Sequence, residues 1–142
     1  MTAATTTEMS GQALEFALGD GHYCVGIETI DEIVKPDELT ELPETPPQVA
    51  GVMDLRGETT TVLDPSLVLE VTTASSDKQI VIFDDEDERI GWLVDRVHSV
   101  RDLNDAEIDP VADNRYVDGL ISDGDQFTIW VDPETVNGSV ST

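Results

Sequence analysis

The chain has 142 residues, which suits one compact domain or two very small subdomains with a common core. Seven lysines and arginines stand against 31 aspartates and glutamates, so the net charge at pH 7 is −24. That charge would repel a nucleic-acid backbone or an anionic membrane surface, and both are therefore excluded as expected partners.

The chain begins with a segment rich in Thr, Ala and Ser, which predicts a flexible tail over residues 1–11 and a domain over 12–138. The tail lacks the basic and apolar regions of a signal peptide. No later apolar run reaches the roughly 20 residues needed to span a bilayer, so direct membrane insertion is not expected.

The first two strands are predicted from alternating apolar residues and a turn. Leu14, Phe16 and Leu18 share one face of a strand, and Gly-Asp-Gly at 19–21 predicts a hairpin turn. The second strand is predicted to continue from residue 22 through 35. It carries the single cysteine, Cys24, as a buried thiol; no intramolecular disulfide can form, which fits a reducing cytoplasm.

The middle of the chain predicts a loop followed by a hairpin. Four of the seven prolines lie in residues 36–47, which indicates a loop, and a helical turn is expected at 47–50. Residues 51–64 predict a hairpin around Gly57, and Pro65 is placed to begin a short helix. A linker is expected at 72–77, with an approximate division between two subdomains near 72–78 across which strands can cross over.

The second half predicts two more hairpins. Residues 79–97 indicate two strands joined by an acidic turn at 84–88. Over 92–103 a helical stripe competes with a strand, and the β-branched residues and Trp92 favour the strand. A last hairpin is expected over 116–132, followed by a helical turn at 134–138. The sum predicts an all-β fold of small barrels without a long helix.

Motifs of common enzymes are absent from the sequence. It contains no nucleophile elbow, phosphate-binding loop or dinucleotide fingerprint. His22 and His98 are the only histidines, and no Cys/His/carboxylate cluster has zinc spacing. The acidic runs do not match a calcium loop and fall where turns are needed. No enzymatic activity, cofactor or metal is therefore expected.

Two features of residues 27–64 are unusual. Ile27, Ile30 and Ile33 are three residues apart, so on a regular strand they would alternate between faces. Two interpretations stay open: core packing on both faces, or an apolar contact surface for a partner. Arg56 is one of few cations, and we expect it to pair with Glu32, because a guanidinium can bind a carboxylate through two hydrogen bonds.

These residues carry a family resemblance. Four segments, at 14–34, 45–64, 89–100 and 116–132, resemble the CheW family of chemotaxis coupling proteins in order and spacing. The most specific part is GVMDLRG at 51–57 followed by VLD at 62–64. Asp54 stands where the family usually has Asn, and Thr61 where it usually has Pro.

The resemblance implies a fold of two small five-stranded SH3-like β-barrel subdomains that share a hydrophobic groove. It implies a non-catalytic adaptor that links the cytoplasmic tip of methyl-accepting chemoreceptors to the regulatory domain of the histidine kinase CheA. Such an adaptor would be cytoplasmic and recruited to membrane-associated chemoreceptor arrays.

Carried over by position, the resemblance also implies three sets of site residues. The receptor-binding groove would be lined by Leu14, Ile27, Ile30, Ile33 and Val97. Glu32 and Arg56 would form a structural salt bridge at the adaptor surface. The kinase contact region would run from about residue 42 to 62 and include Leu42, Leu55, Gly57 and Val62. The alternative function is an acidic β-barrel that binds ions or mimics a polyanion.

The acidic residues are spread over the whole chain, and apolar residues are grouped between them. This pattern indicates a folded core with a carboxylate-rich surface from a cell with molar internal salt. At about 1 M salt the Debye length is only about 3 Å, so crowded carboxylates barely repel one another. In dilute buffer the same charges repel and destabilise the compact state.

We therefore expect the protein to unfold when salt is removed. Near-UV circular dichroism, recorded before and after dialysis from concentrated potassium chloride into dilute buffer, measures the loss of tertiary packing. An unchanged spectrum after dialysis would contradict the assignment to a high-salt cell.

Overall fold

The computed structural model of the protein describes residues 11–36, 38–72, 78–83, 89–103, 108–111, 114–123 and 125–138. These residues form eleven strands and short helical segments. The strands are β1 (Gln12–Leu18), β2 (Gly21–Gly26), β3 (Ile30–Val34), β4 (Val49–Leu55), β5 (Glu58–Leu63), β6 (Gln79–Phe83), β7 (Ile90–Val94), β8 (Arg96–Asp102), β9 (Ile108–Asp109), β10 (Val117–Asp123) and β11 (Gln126–Val131). The helices are a 3-10 turn at Ile27–Thr29, α1 (Pro65–Val68) and α2 (Pro133–Gly138).

The strands form two sheets, which confirms the predicted all-β fold with two small subdomains. The first sheet has six strands in the order β8-β1-β2-β11-β10-β9, and the second has five in the order β3-β6-β7-β5-β4. The first sheet exceeds the predicted five strands because the two-residue β9 pairs with β10. Two pairs are parallel, β2 with β11 and β5 with β7, and the others are antiparallel.

The sheets do not divide the chain near 72–78. The second sheet takes all its strands from residues 30–94, and the first sheet combines residues 12–26 with 96–131. The reason is the parallel pairing of β11 with β2, which returns the last strands to the first hairpin. Most of the predicted linker, 73–77, lies outside the described residues.

Several predicted elements are confirmed. The hairpin around Gly57 is β4 with β5, and the strand interpretation of 92–103 is correct, because β7 and β8 cover most of it. Pro65 begins α1, where the Asp64 side chain accepts a hydrogen bond from the Ser66 amide at 3.1 Å. The two final hairpins and the last helical turn are also present. The acidic turn at 84–88 and the tail at 1–10 lie outside the described residues.

Two local predictions are wrong. The strand expected over 22–35 is interrupted by the 3-10 turn, in which the Thr29 hydroxyl donates to the Gly26 carbonyl oxygen at 2.7 Å. The helical turn expected at 47–50 is replaced by the start of β4, because Val49 pairs in register with Leu63 of β5. In both places tertiary pairing or a side-chain hydrogen bond overrides the local pattern.

Buried side chains form one core shared by the sheets and one core within each sheet. The shared core includes Phe16 of β1 and Phe83 and Trp92 of the second sheet, with ring centroids of Phe83 and Trp92 4.6 Å apart. Strand β6 serves two cores: Val81 and Phe83 face the shared core, while Ile80 and Ile82 belong to the core of the second sheet. The continuous apolar run QIVIF follows from this burial on both faces.

A buried carboxylate connects the sheets at the crossover between β7 and β8. Asp95 accepts hydrogen bonds from the Gly19 amide at 2.6 Å and from Lys78 Nζ at 2.7 Å, and its own amide donates to the Ala17 carbonyl at 3.0 Å. Gly19 and Ala17 belong to the first hairpin, whereas Lys78 directly precedes β6. The negative charge is therefore compensated where the chain passes between the sheets.

Gly51 allows the proline-rich loop to lie against β4. Its φ is +154°, and a Cβ atom there would lie 2.7 Å from the backbone oxygen of Thr40. Thr40 in turn exchanges two backbone hydrogen bonds with Val52, each of 2.9 Å. A side chain at residue 51 would force this loop away from the strand, because the obstructing atom belongs to the backbone.

We expect Gly51→Ala to lower the free energy of unfolding by about 1–3 kcal/mol, the usual range for local backbone strain. Gly138→Ala is the matched control, since no atom lies within 4 Å of a Cβ at that position, and its effect should stay within about 0.5 kcal/mol. Denaturant unfolding in concentrated salt measures both variants. Equal effects would contradict the close approach of Thr40.

Candidate interaction surface

A bulge in β3 explains how isoleucines three residues apart can lie on the same side of the sheet. Ile30 pairs with Phe83 and Ile33 with Val81, so three residues of β3 span two residues of β6 and Asp31 is the extra one. Phe83 and Val81 both face the shared core. Ile30 and Ile33 are therefore brought to the same side of the sheet.

The three isoleucines differ in their burial. Ile30 is half-buried and packs against the shared core. Ile27, on the 3-10 turn, is 36% exposed, and Ile33 is 39% exposed. The isoleucines thus extend the shared core outward into exposed apolar surface.

Edge strand β8 supplies the other side of this surface. Val97 pairs with Phe16 and packs against the shared core, while Val100 pairs with Leu14 and is 43% exposed. The Val97 amide donates to Gln79 Oε1 on β6 at 2.9 Å. Because β6 also pairs with β3, this hydrogen bond connects the two edges. We call Ile27, Ile30, Ile33, Val97 and Val100 the apolar rim.

Leu14 lies beneath the apolar rim and not in it. It is only 4% exposed, because its side chain extends from the inner strand β1 into the shared core. Val100 was not assigned to the groove from the sequence. Its valine side chain fits either a helical stripe or a strand, and only its pairing with Leu14 reveals its position.

An ion pair joins the two edges of the second sheet. The guanidinium of Arg56 contacts the carboxylate of Glu32. Glu32 lies on β3 and Arg56 follows β4, which are the first and last strands of that sheet. Since the Arg56 side chain is largely exposed, the pair itself contributes at most about 1 kcal/mol to stability.

The backbone at Arg56 is unusual for an arginine. Arg56 has φ +53° and Gly57 has φ +86°, the left-handed conformation at both central residues of a two-residue hairpin turn. Asn-Gly or Gly-Gly is preferred in such turns, and a non-glycine residue with positive φ is uncommon. The conformation projects the guanidinium from the tip of the hairpin toward β3.

Arg89 extends this ion pair into a cluster. Its guanidinium lies 3.5 Å from an Asp31 carboxylate oxygen, 3.9 Å from Glu32 and 4.0 Å from Glu58. Two arginines therefore face three carboxylates from β3 and β5. Arg89 begins the segment 89–100 that resembles the family, but no role was predicted for it, because only the strand order brings it to Glu32.

The predicted kinase contact residues divide into exposed and buried pairs. Leu42 and Gly57 are exposed, in the proline-rich loop and at the hairpin tip. Leu55 and Val62 are buried in the core of the second sheet, because the alternation of β4 and β5 points them inward. Asp54 is exposed and forms no ion pair with Arg56 in the described part of the chain.

Two ionisable groups of the described residues have a raised pKa. Burial raises the pKa of the Tyr23 phenol, which belongs to the shared core. Burial raises the pKa of Asp118, and the nearby Asp132 carboxylate raises it further. Within the described ranges, no group of three or more His, Cys, Asp or Glu side chains is arranged to hold a metal ion. None of the helices in those ranges has the length and apolarity needed to cross a membrane.

Two β-sheet subdomains around a shared core, with an apolar rim beside an ion-pair cluster, are features of a protein-interaction module. Comparison with protein families matches residues 12–140 to the CheW-like domain. The chain is 31% identical to the chemotaxis protein CheW of Helicobacter pylori over 122 residues, which cover 84% of this chain and 70% of that protein. It is 28% identical to the chemotaxis protein CheW of Bacillus subtilis over 111 residues, covering 77% and 70% respectively.

A solved structure agrees with these relatives. The scaffolding protein TtCheW from Thermoanaerobacter tengcongensis matches with a TM-score of 0.77 and 28% identity, over 87% of this chain and 89% of that one. The chain therefore belongs to the CheW-like family. This membership confirms the prediction of a non-catalytic chemotaxis adaptor, and it does not support the alternative of an acidic ion-binding or polyanion-mimic barrel.

Proposed function

We propose that this adaptor couples the cytoplasmic tips of methyl-accepting chemoreceptors to the regulatory domain of the histidine kinase CheA, within membrane-associated receptor arrays in the cytoplasm. Its similarity to chemotaxis proteins named CheW and to a protein described as a scaffold supports this role. An adaptor needs two separate surfaces, so that both partners bind at once. The described residues offer two candidates.

The apolar rim is the proposed receptor surface, and the bulge in β3 is the observation that carries the proposal. It brings Ile30 and Ile33 to the shared-core side of β3, and Val97 and Val100 lie on the shared-core side of the edge strand β8. A groove of this kind accepts an amphipathic helix through anchors at i, i+3, i+4 and i+7. Leu14 supports the groove from the shared core below.

The proposed kinase surface is the outer side of the second sheet, at the proline-rich loop and the β4–β5 hairpin. Leu42 and Gly57 are its exposed members, and Leu55 and Val62 hold the hairpin by packing beneath them. The Arg56–Glu32 pair links this hairpin to β3, the strand that carries Ile30 and Ile33. A displacement of β3 on receptor binding would therefore be transmitted to the hairpin through this ion pair.

We also propose that the protein works in a cell with molar internal salt, as in an extreme halophile. The excess of 31 acidic over seven basic residues supports this. Under such conditions electrostatic steering is screened, so apolar contact dominates recognition. The rim, which is formed by isoleucine and valine, suits that requirement.

We expect Ile30→Asp to weaken receptor binding at least tenfold while kinase binding stays near normal, because a carboxylate in the groove would have to be desolvated. Ile33→Asp should act in the same direction with less risk to the fold, since Ile33 is already 39% exposed. Pull-downs in concentrated salt with a receptor tip and with the kinase measure both interactions.

Leu67→Asp is the matched control for these variants, because Leu67 is 53% exposed and lies on α1, away from the rim. It should leave receptor binding unchanged. If Ile30→Asp and Ile33→Asp weaken binding to receptor and kinase equally, or weaken neither, the assignment of two surfaces is contradicted.

We expect Arg56→Ala to abolish receptor-dependent activation of the kinase. Arg56→Asn is the sharper variant, because Asn-Gly suits the turn and keeps the hairpin while it removes the guanidinium. The stability of each variant should change by less than about 1 kcal/mol. Reconstituted kinase assays and denaturant unfolding separate the two effects, and normal activation in Arg56→Asn would refute the role of the ion pair.

A further inference from the structure

The two histidines of the chain meet on the first sheet, away from the apolar rim and the ion-pair cluster. The ring centroids of His22 and His98 are 5.7 Å apart, with 34° between the ring planes. They come from β2 and β8, which flank β1 on either side. Ala17 of β1 pairs with both His22 and Arg96, and its small side chain leaves room for the rings above it.

Alternation along β8 explains why His98 points to this side, because Arg96 pairs with Ala17 and His98 lies two residues further along the same face. Phe16 pairs with Val97 and Leu14 with Val100, so β8 has two residues, His98 and Ser99, where β1 has only Glu15. The extra residue brings Val100 to the same side of β8 as Val97. His98 shares the face that carries His22, across strand β1 and 76 residues of sequence.

The two imidazoles line a cleft at the end of the first hairpin, together with Asp20, Asp95 and Arg96. The Asp95 carboxylate is engaged by the Gly19 amide and by Lys78. Neither imidazole forms a hydrogen bond or an ion pair with another residue in the described part of the chain. The described contacts within the protein therefore leave the ring nitrogens available as ligands.

We propose that His22 and His98 together bind a borderline divalent transition-metal ion such as Zn²⁺. Zinc–imidazole bonds of about 2.0–2.1 Å at a tetrahedral angle bring two ring centroids to about 5 Å. The observed separation of the ring centroids, 5.7 Å, is then about half an ångström longer than the separation expected with zinc bound. Rotation of the side chains about χ1 and χ2 supplies such a shift without moving the strands.

The site has two protein ligands, and water completes the coordination. No third His, Cys, Asp or Glu in the described ranges is placed to close it, so the other coordination positions stay open to exchange. Imidazole suits zinc, copper and nickel, whereas carboxylates and water suit magnesium and calcium. Carboxylates can also ligate zinc, and competition with Mg²⁺ therefore distinguishes the surface carboxylates from the histidine site.

Bound metal would connect β8 to β2 across β1. Strand β8 is an edge strand, and its outer side pairs with no described strand. The same strand carries Val97 and Val100 on its other face. A metal that binds the folded state alone raises the apparent stability of the protein by mass action.

The test is calorimetric titration of the untagged full chain with Zn²⁺, in one concentrated salt buffer for all variants. His22→Gln and His98→Gln should each weaken Zn²⁺ binding at least tenfold, and the double variant should be no weaker than either, because one imidazole alone cannot chelate. Near-UV circular dichroism checks that each variant is folded. A smaller change in either single variant, or no Zn²⁺ binding by the parent chain, overturns the proposal.

Two further comparisons separate this site from the carboxylate surface and from an anion site. A hundredfold excess of Mg²⁺ should not displace Zn²⁺, and displacement would assign the binding to carboxylates and overturn the proposal. Arg96→Gln should leave Zn²⁺ binding equal or stronger, because it removes a positive charge from the cleft. Weaker binding in this variant would contradict coordination of a cation by the two imidazoles and overturn the proposal.

Discussion

The core shared by the two sheets is the constraint on which the other features depend. Trp92 is fully buried between Phe16 and Phe83, and its indole Nε1 donates to the Asn137 side chain at 2.7 Å, so the last helix also closes over this core. Neither sheet alone could bury its inner face, because each is too small to form a sufficient core by itself. The apolar rim lies at the outer margin of this core, along the edge strands β3 and β8.

Two one-residue bulges give the surface its chemistry. The bulge at Asp31 gathers isoleucines beside the shared core, and the bulge at His98–Ser99 brings Val100 to the same side of β8 as Val97. Both lie in edge strands, where an extra residue disturbs only one ladder of hydrogen bonds. Each turns a local irregularity into a group of like side chains that a regular strand would have separated.

Four of the seven cations compensate carboxylates within the fold. Lys78 pairs with the buried Asp95 at the crossover between sheets, Arg101 pairs with Glu15 at 2.6 Å, and Arg56 and Arg89 share the carboxylates of β3. Acidic residues exceed basic ones by 24 in the whole chain, so these ion pairs use only a small part of the negative charge.

The sequence by itself determined the all-β class, most hairpins, the short helix at Pro65, the family and the pairing partners Glu32 and Arg56. These depend on alternation, turn residues and motif spacing, which are local. Tertiary structure alone decided the interleaving of the sheets, the burial of Leu14, Leu55 and Val62, and the positions of Val100 and Arg89. The physical reason is that strand order and register join residues far apart in the chain, and a single bulge reverses which face a side chain occupies.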